Sequence, residues 1–434
     1  MTGGIELPME KRALARASLE LAANTILAFC GFVLVYYLCY LHPVGYVNFI
    51  TEDYWAEHAT FVSLAMASCF LAWTLFTHRG ARTPGVFLLA LGTFVVAMEE
   101  ISWGQRILGI HTPRFFAARN PRGEMNLHNF FPASYSLHLV AGIAVLVWSI
   151  LLPLLVRKSM RLRRWCSHLG IPIVPIPLWP FFLLSVYFFI NTSLRKSEVG
   201  ELYLGIALAA LSLDLALTTR RGIRIGGAMA TGATGGMILT VWIFTSFLVR
   251  FYPWPAELTR NLNKFASSWF PAVGMYRQAE ALFDYMDRNP RFLLADTHFE
   301  HGVLLIRMGR HAKAREVLQV ALSEQERLQG QDREDPVPYR IAGQVLRMLA
   351  RPKDATRAFQ KALENDQVRL ELANDVLTKA WIHWSLGLTL HAMRDSEAAF
   401  KEFSMARRLA PDRRTQHQMD VRIKWWQSGN APRE

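Results

Sequence analysis

The chain is poor in cysteine and lacks the short motifs that mark several enzyme classes. Its four cysteines are Cys30, Cys39, Cys69 and Cys166. No two of them have CxxC spacing, so we expect no structural zinc site, and the part of the chain after Cys166 contains no disulfide. The sequence also has no HExxH, GxSxG, Walker or dinucleotide-binding motif. No motif therefore supports assignment to the zinc proteases, the GxSxG serine hydrolases or the nucleotide-binding enzymes.

Charged residues are also scarce, and they are unevenly distributed. They make up 19% of the 434 residues, whereas hydrophobic residues make up 52%. Only 12 of the 35 acidic residues lie before Tyr252. This change in the density of acidic residues predicts a domain boundary near Phe251–Pro255, with an apolar block before it and a charge-rich block after it. Most of the net charge of +13 lies in short loops between apolar runs, so we expect no nucleic-acid partner.

The apolar block contains long hydrophobic runs. Runs of about 18 or more residues are candidate membrane-spanning helices. About seven are present, which predicts a multi-pass helical membrane domain over residues 21–250, in contact with membrane lipid, after an N-terminal segment of residues 1–20. The runs are Leu21–Leu41, Ala59–Phe76, Gly85–Trp103, Leu137–Val156, Leu178–Ile190, Glu201–Leu217 and Ala228–Leu248.

Basic residues in alternate loops predict the orientation. One set of loops carries 13 lysines and arginines and the opposite set carries 7. The richer set includes the N-terminus, which predicts a cytoplasmic N-terminus in an inner or cell membrane. Seven crossings then place the C-terminal block outside the cytoplasm, and one crossing more or fewer would reverse its side. In the last run, Gly232 and Gly236 form a GxxxG motif, which favours close helix packing within the chain or in a homodimer.

The C-terminal block contains a pattern that occurs three times. A glycine is followed 12 residues later by an alanine and 19 residues later by a second alanine, with a large apolar residue between them. Because glycine and alanine let two helices approach closely, each unit predicts an antiparallel helix pair. The repeated positions are Gly302, Ala314 and Ala321; Gly343, Ala355 and Ala362; and Gly387, Ala399 and Ala406, with Leu318, Phe359 and Phe403 as the large residues.

This pattern resembles the tetratricopeptide repeat (TPR), whose period is about 34 residues. The glycines here are 41 and 44 residues apart, so we expect insertions between the units, the first within Leu328–Pro338. The resemblance covers residues 267–426, after a linker of residues 251–266 and before a tail of residues 427–434. It implies an all-α solenoid that binds a protein partner on its concave face. A short array could instead only pack on the membrane domain or form a dimer.

Acidic and histidine residues gather at the predicted outer ends of the spans. Glu99 and Glu100 lie at the outer end of the third run, and His128 lies in the loop that follows it. Glu198 and Glu201 come after the fifth run. Carboxylates and imidazole are ligands for divalent metals, so these five residues are a predicted metal site.

The same cluster has two further interpretations. Glu100 and His128 could serve as a catalytic acid–base pair. Alternatively, Arg106, Arg114, Arg195 and Lys196 could neutralise the carboxylates in a salt-bridge network with no catalytic role.

The stretches EEISWGQRILGI and ExNLHN, within Gly85–Gly205, resemble a signature of an uncharacterised family of bacterial polytopic membrane proteins. That resemblance implies no activity. Two functions therefore stay open. The first is an integral membrane protein whose extracytoplasmic TPR-like domain mediates protein–protein interaction in an envelope assembly. The second is a membrane-embedded, metal-dependent hydrolase or transferase that acts on a lipid or lipid-linked substrate at the outer face.

Overall fold

The computed structural model describes residues 9–51, 54–77, 83–117, 125–127, 134–221, 227–251 and 256–411, and also 415–416, 419–420 and 423. These residues form helices, turns and extended segments without any strand, which confirms the predicted all-α class. The chain divides into two compact units, Met1–Asn261 and Leu262–Glu434. The division lies within the predicted linker of residues 251–266.

The first unit is built from thirteen described helices, and the last of these crosses the division. A π-helical turn, Val147–Leu151, joins α7 and α8 into one continuous apolar helix. The helices are α1 (Met9–Leu41), α2 (Pro43–Ile50), α3 (Trp55–Thr77), α4 (Pro84–Glu100), α5 (Gln105–Leu108), α6 (Arg114–Ala117), α7 (Ser134–Leu146), α8 (Leu152–Lys158), α9 (Met160–Leu169), α10 (Trp179–Ile190), α11 (Ser197–Arg221), α12 (Gly227–Phe251) and α13 (Ala256–Lys264).

Four of the described segments are long and apolar enough to cross a membrane. They are Ala17–Leu41, Trp55–Thr77, Leu137–Lys158 and Ser193–Leu217. The segments Ile176–Ile190 and Thr234–Val249 are apolar but shorter, and α4 has 17 residues. The described structure therefore has the apolar helices of a membrane protein, and the seven-span count stays a prediction.

Helix α3 lies at the centre of the first unit, where it packs against α4, α11 and α12. Small residues permit this packing: a Cβ atom on Gly205 would lie 3.0 Å from the Cβ atom of Ser63. Across the unit, the Tyr203 hydroxyl donates to the carbonyl of Ala28 at 2.8 Å. That bond satisfies a polar group that would be costly to leave unpaired in an apolar interior.

The proline-rich segment before α10 has no regular structure over residues 171–175, ends in a 3-10 turn, Ile176–Leu178, and is hydrogen-bonded to the helices around it. The Trp148 indole donates to the Pro172 carbonyl at 3.2 Å. The Asn24 side-chain amide donates to the Pro177 carbonyl at 3.0 Å. Since neither carbonyl is in an α-helix, these side chains supply hydrogen bonds that α-helical geometry would otherwise provide.

The second unit is a succession of helices in which each packs against the next along the chain. A π-helical turn, Phe265–Trp269, leads into it from α13. Its helices are α14 (Phe270–Ala272), α15 (Tyr276–Arg288), α16 (Thr297–Arg307), α17 (His311–Gln331), α18 (Pro336–Met348), α19 (Pro352–Leu372), α20 (Val376–Ala392) and α21 (Ser396–Leu409).

The three repeated glycines lie where two helices come closest. A Cβ atom added to Gly302, Gly343 or Gly387 would lie 2.5, 2.5 or 2.6 Å from the side chain of Leu318, Phe359 or Phe403, respectively. The alanines of the pattern are all buried: Ala314, Ala321, Ala355, Ala362, Ala399 and Ala406. Each large side chain therefore covers a glycine of the preceding helix, where any side chain would obstruct it.

The first expected insertion is mostly helical. Helix α17 continues to Gln331, and only a short turn separates it from α18, which starts at Pro336. The Asp335 carboxylate accepts from the Val337 N–H at 3.0 Å and so caps α18. The additional residues lengthen the second helix of the pair, because Leu328–Gln331 contains neither a proline nor a terminating turn.

We expect Gly343→Ala to destabilise the second unit by about 1–3 kcal/mol, because the new methyl group would overlap the rigid ring of Phe359. Gly330→Ala in α17 is the matched control, since no atom lies within 4 Å of its added Cβ. In the last turn of α17 that control should be close to neutral. Thermal unfolding of the purified chain measures both. Equal effects of the two substitutions would contradict the packing assigned to Gly343.

Candidate functional site

The segment after α4 turns sharply through a left-handed backbone. Ser102, Trp103 and Gly104 have φ values of +47°, +56° and +74°. Two of the three are not glycine, so this turn is strained and the surrounding structure must hold it. It reverses the chain immediately after Glu99 and Glu100 and leads into the short helix α5.

Glu99 is a structural hydrogen-bond acceptor in this turn. Its Oε1 atom accepts from the Trp103 indole N–H at 2.7 Å. Its Oε2 atom accepts from the backbone N–H of Leu127 at 2.6 Å. A carboxylate that accepts two N–H bonds joins segments of the chain 28 residues apart.

Two more bonds join the same segments. The Gln105 side-chain carbonyl accepts from the Met125 N–H at 2.7 Å. The buried amide of Asn126 donates to the Ser102 hydroxyl at 3.1 Å. The two sequence stretches EEISWGQ and NLHN therefore bind each other through the residues that the structure describes.

A second left-handed turn precedes α11. Leu194 and Arg195 have φ values of +57° and +58°, and the Tyr46 hydroxyl donates to the Leu194 carbonyl at 2.9 Å. Arg195 pairs with Glu198 at 2.8 Å. The Lys196 ammonium lies 4.9 Å from the centre of the Tyr36 ring, in a cation–π contact.

Glu100 is close enough to Glu198 and Glu201 to interact with both electrostatically. Glu198 is paired with Arg195, and Glu201 Oε1 lies 3.1 Å from His138 Nε2. Within the described residues, Glu100 makes no hydrogen bond or ion pair. Glu99 and Glu100 thus have different surroundings, as adjacent positions on a helix about 100° apart allow.

The predicted metal site is only partly visible. His128 lies outside the described residues, as do the side chains of Arg106 and Arg114. Among the described residues here, no three donors from carboxylates and histidines come within 4.8 Å of one another. The metal and catalytic assignments for Glu99, Glu100, His128, Glu198 and Glu201 stay predictions. The structure adds His138 to this cluster. Its position near the start of an apolar helix, where a histidine is unusual, is the sequence signal that could have identified it.

Elsewhere in the described structure, one set of side chains has the spacing of a metal site. Donor atoms of Glu280, Asp284 and His301, in the second unit, lie within 4.8 Å of one another. Lys313 Nζ lies 2.8 Å from Glu280 and 3.5 Å from Asp284. The ammonium of Lys313 therefore supplies positive charge at these carboxylates.

His298 connects three helices of the second unit. Its Nδ1 atom lies 2.7 Å from Glu324 Oε2, and its Nε2 atom lies 3.2 Å from Asp287 Oδ1. The hydrogen bond to Asp287 raises the pKa of His298 above its usual value, and Glu324 adds to this rise. The contribution of this ion pair to stability is complete below about pH 6.5 and is lost as the pH rises through the raised pKa.

A group of charged side chains lies along α16, α18 and α19. Burial, with a smaller contribution from nearby Asp296, raises the pKa of Glu300 to about 7. Burial likewise raises the pKa of the fully buried Asp366 to about 6. The guanidinium of Arg340, which is near Asp296 and Asp366, donates to the Ser385 hydroxyl at 3.1 Å. We call Asp296, Glu300, Arg340 and Asp366 the charged recess.

The chain has no match among protein-family models or among curated proteins. A proposal about function therefore depends on these two sites, the carboxylate cluster of the first unit and the charged recess of the second.

We expect Glu99→Gln to loosen the segment of residues 125–127. Glutamine has a single acceptor oxygen, so either Trp103 or Leu127 loses its partner, at a cost of about 1–3 kcal/mol. Hydrogen exchange at the Leu127 amide or at the Trp103 indole N–H, measured on the full chain in detergent, should become faster. Glu20→Gln, near Asp214 in the same unit, makes the same charge change as a control. Unchanged exchange at both groups in Glu99→Gln would refute the structural role.

Proposed function

We propose that the protein is a multi-pass membrane protein whose second unit is a TPR-like α-solenoid that binds a protein partner. The single observation that carries this proposal is the repeated fit of Gly302, Gly343 and Gly387 against a large side chain of the following helix. A helix pair repeated in this way stacks on its neighbour and presents one helix of each pair on an inner face. In this arrangement α16, α18 and α20 are the inner helices.

The charged recess supports binding on that inner face. Desolvation makes the charged forms of Glu300, Asp366 and Arg340 costly, as the directions of their pKa shifts indicate. Hydrophobic residues would pack there at no such cost. Asp296, which is exposed, and Glu300, which is near it, supply carboxylates on α16 and favour a partner with basic or hydrogen-bond-donating groups. Trp381, at 38% exposed on α20, offers an aromatic anchor of the kind that dominates binding energy.

The predicted topology completes the proposal. With seven spans and a cytoplasmic N-terminus, the repeat domain lies outside the cytoplasm, where its partner would belong to an envelope assembly. Four helices long enough to span are consistent with the membrane location. Because the charge of Glu300 changes near pH 7, binding of a basic partner should strengthen as the pH rises from about 6 to 8.

We expect photo-crosslinking in cells to locate the partner on the inner helices. A photoreactive amino acid at Arg340, Gln344 or Trp381 should give a protein adduct of one common mass. The same amino acid at Glu316 in α17 or Lys361 in α19, both exposed, should give none. Glu300→Gln should weaken the adduct formed from position 381.

The control positions decide the outcome of this experiment. Adducts of equal yield at positions 316, 361 and 381 would mean that the inner face has no special role. If none of the three inner positions gives an adduct, the binding proposal is wrong.

The second candidate function is the membrane enzyme, and the observation that favours it is the situation of Glu100. This carboxyl is near Glu198 and Glu201, yet it forms no hydrogen bond or ion pair within the described residues. Ionisable residues at membrane depth are costly, and they commonly mark sites of binding or proton transfer. Under this proposal the substrate is lipid-linked. Glu100, together with His128, either transfers a proton to or from that substrate or binds a divalent metal.

We expect Glu100→Gln and Glu201→Gln each to remove a divalent metal from the purified chain if this second function is right. Elemental analysis of the wild-type chain should then give a stoichiometric metal, and Glu20→Gln should retain it. Metal-free wild-type protein, or metal retained in Glu100→Gln, would contradict the metal-dependent enzyme.

A further inference from the structure

Helix α9 follows directly after a candidate membrane span. A single residue separates the apolar segment Leu137–Lys158 from α9, which begins at Met160. That residue, Ser159, has an extended backbone, and its hydroxyl accepts from the Leu162 N–H at 3.2 Å as an N-cap. The chain therefore turns within one residue, and α9 starts beside the end of the span.

Two glycines fix the other end of α9 to the start of α4. Gly170 has a φ value of +64° and lies so close to Thr83 that a Cβ atom would overlap the threonine side chain. A Cβ atom on Gly85 would lie 2.5 Å from the Gly170 carbonyl oxygen. Cys166 is buried on the side of α9 that faces the protein. This helix is thus a fixed part of the first unit.

The end of α8 and the start of α9 carry several positive charges without acidic residues nearby in the sequence. Arg157, Lys158, Arg161, Arg163 and Arg164 lie within eight residues, and no acidic residue occurs between Glu124 and Glu198. Within the described part of the chain, none of these five cations forms an ion pair. The arginines of the second unit differ, since several of them, such as Arg310 with Glu280, have acidic partners.

One face of α9 combines this charge with apolar surface. Met160, Arg161, Arg164, Trp165 and His168 line an open cavity of about 460 Å³. Trp165 and Met160 are 60% and 59% exposed, respectively. Arg161 and Arg164 are three residues apart, so their guanidinium groups can reach one anionic group, and His168 is one turn further on. Basic side chains beside an exposed tryptophan are typical of helices that lie in the membrane interface.

We propose that α9 binds the head groups of anionic phospholipids. The phosphate is held between Arg161 and Arg164 with His168 beside it, and Trp165 and Met160 contact the upper acyl chains. Lipid is favoured over free phosphate because the apolar half of the cavity lining would otherwise face water at the membrane surface. By the predicted orientation, this is the cytoplasmic leaflet.

The test uses the full chain in detergent and compares phosphatidylglycerol with phosphatidylcholine by native mass spectrometry. The double variant Arg161→Gln/Arg164→Gln should lose phosphatidylglycerol affinity by roughly fivefold for each arginine removed. The double variant Arg157→Gln/Arg163→Gln removes the same charge from outside the cavity, since Arg163 projects about 160° away from Arg161. It should bind nearly as well as the wild type.

All four arginines are exposed, so both variants should fold, and their melting temperatures in detergent check this. Equal losses in the two double variants would show a general effect of charge and would overturn the site. Equal binding of phosphatidylcholine and phosphatidylglycerol by the wild type would overturn the preference for anionic lipid. Displacement of the lipid by millimolar inorganic phosphate would assign the site to free phosphate and contradict the proposal.

Discussion

Both units depend on backbone approaches so close that only glycine fits. In the second unit the ring of Phe359 occupies the space where a Gly343 side chain would be, and the same holds for Gly302 and Gly387. In the first unit Gly85 and Gly170 bring the start of α4 against the end of α9. Close packing of this kind maximises dispersion contacts but tolerates little change in volume.

The candidate sites follow from these approaches. The repeated fit in the second unit aligns α16, α18 and α20, which brings Arg340 near Asp296, Asp366 and Ser385. The Gly85–Gly170 contact holds α9 with its basic face exposed. At the other end of the first unit, Glu99 joins two distant segments, whereas its neighbour Glu100 lies among carboxylates. One of these adjacent glutamates thus has a structural role, and the other is the candidate for chemistry.

Spacing in the sequence was sufficient to predict the helical class and the positions at which helices of the second unit meet, because both follow from local periodicity. It could not predict the partners of Glu99, since Leu127 is 28 residues away and a strained left-handed turn brings them together. The span count was equally inaccessible, because α4, with 17 residues, is at the limit of the length that a span requires. His138 was not among the predicted site residues, because its proximity to Glu201 depends on the packing of both α7 and α11 against α10.

A double-mutant cycle between Gly343 and Phe359 tests the central claim, that helix pairs of the second unit are built on a glycine covered by a large side chain. The free energy of unfolding would be measured for Gly343→Ala, Phe359→Ala and the double variant. Truncation of the Phe359 ring to a methyl group leaves room for the methyl group at position 343, so the double variant should be more stable than the sum of the single effects predicts. We expect a coupling energy of about 0.5–3 kcal/mol. Additive effects would mean that the two residues do not meet and would contradict the account.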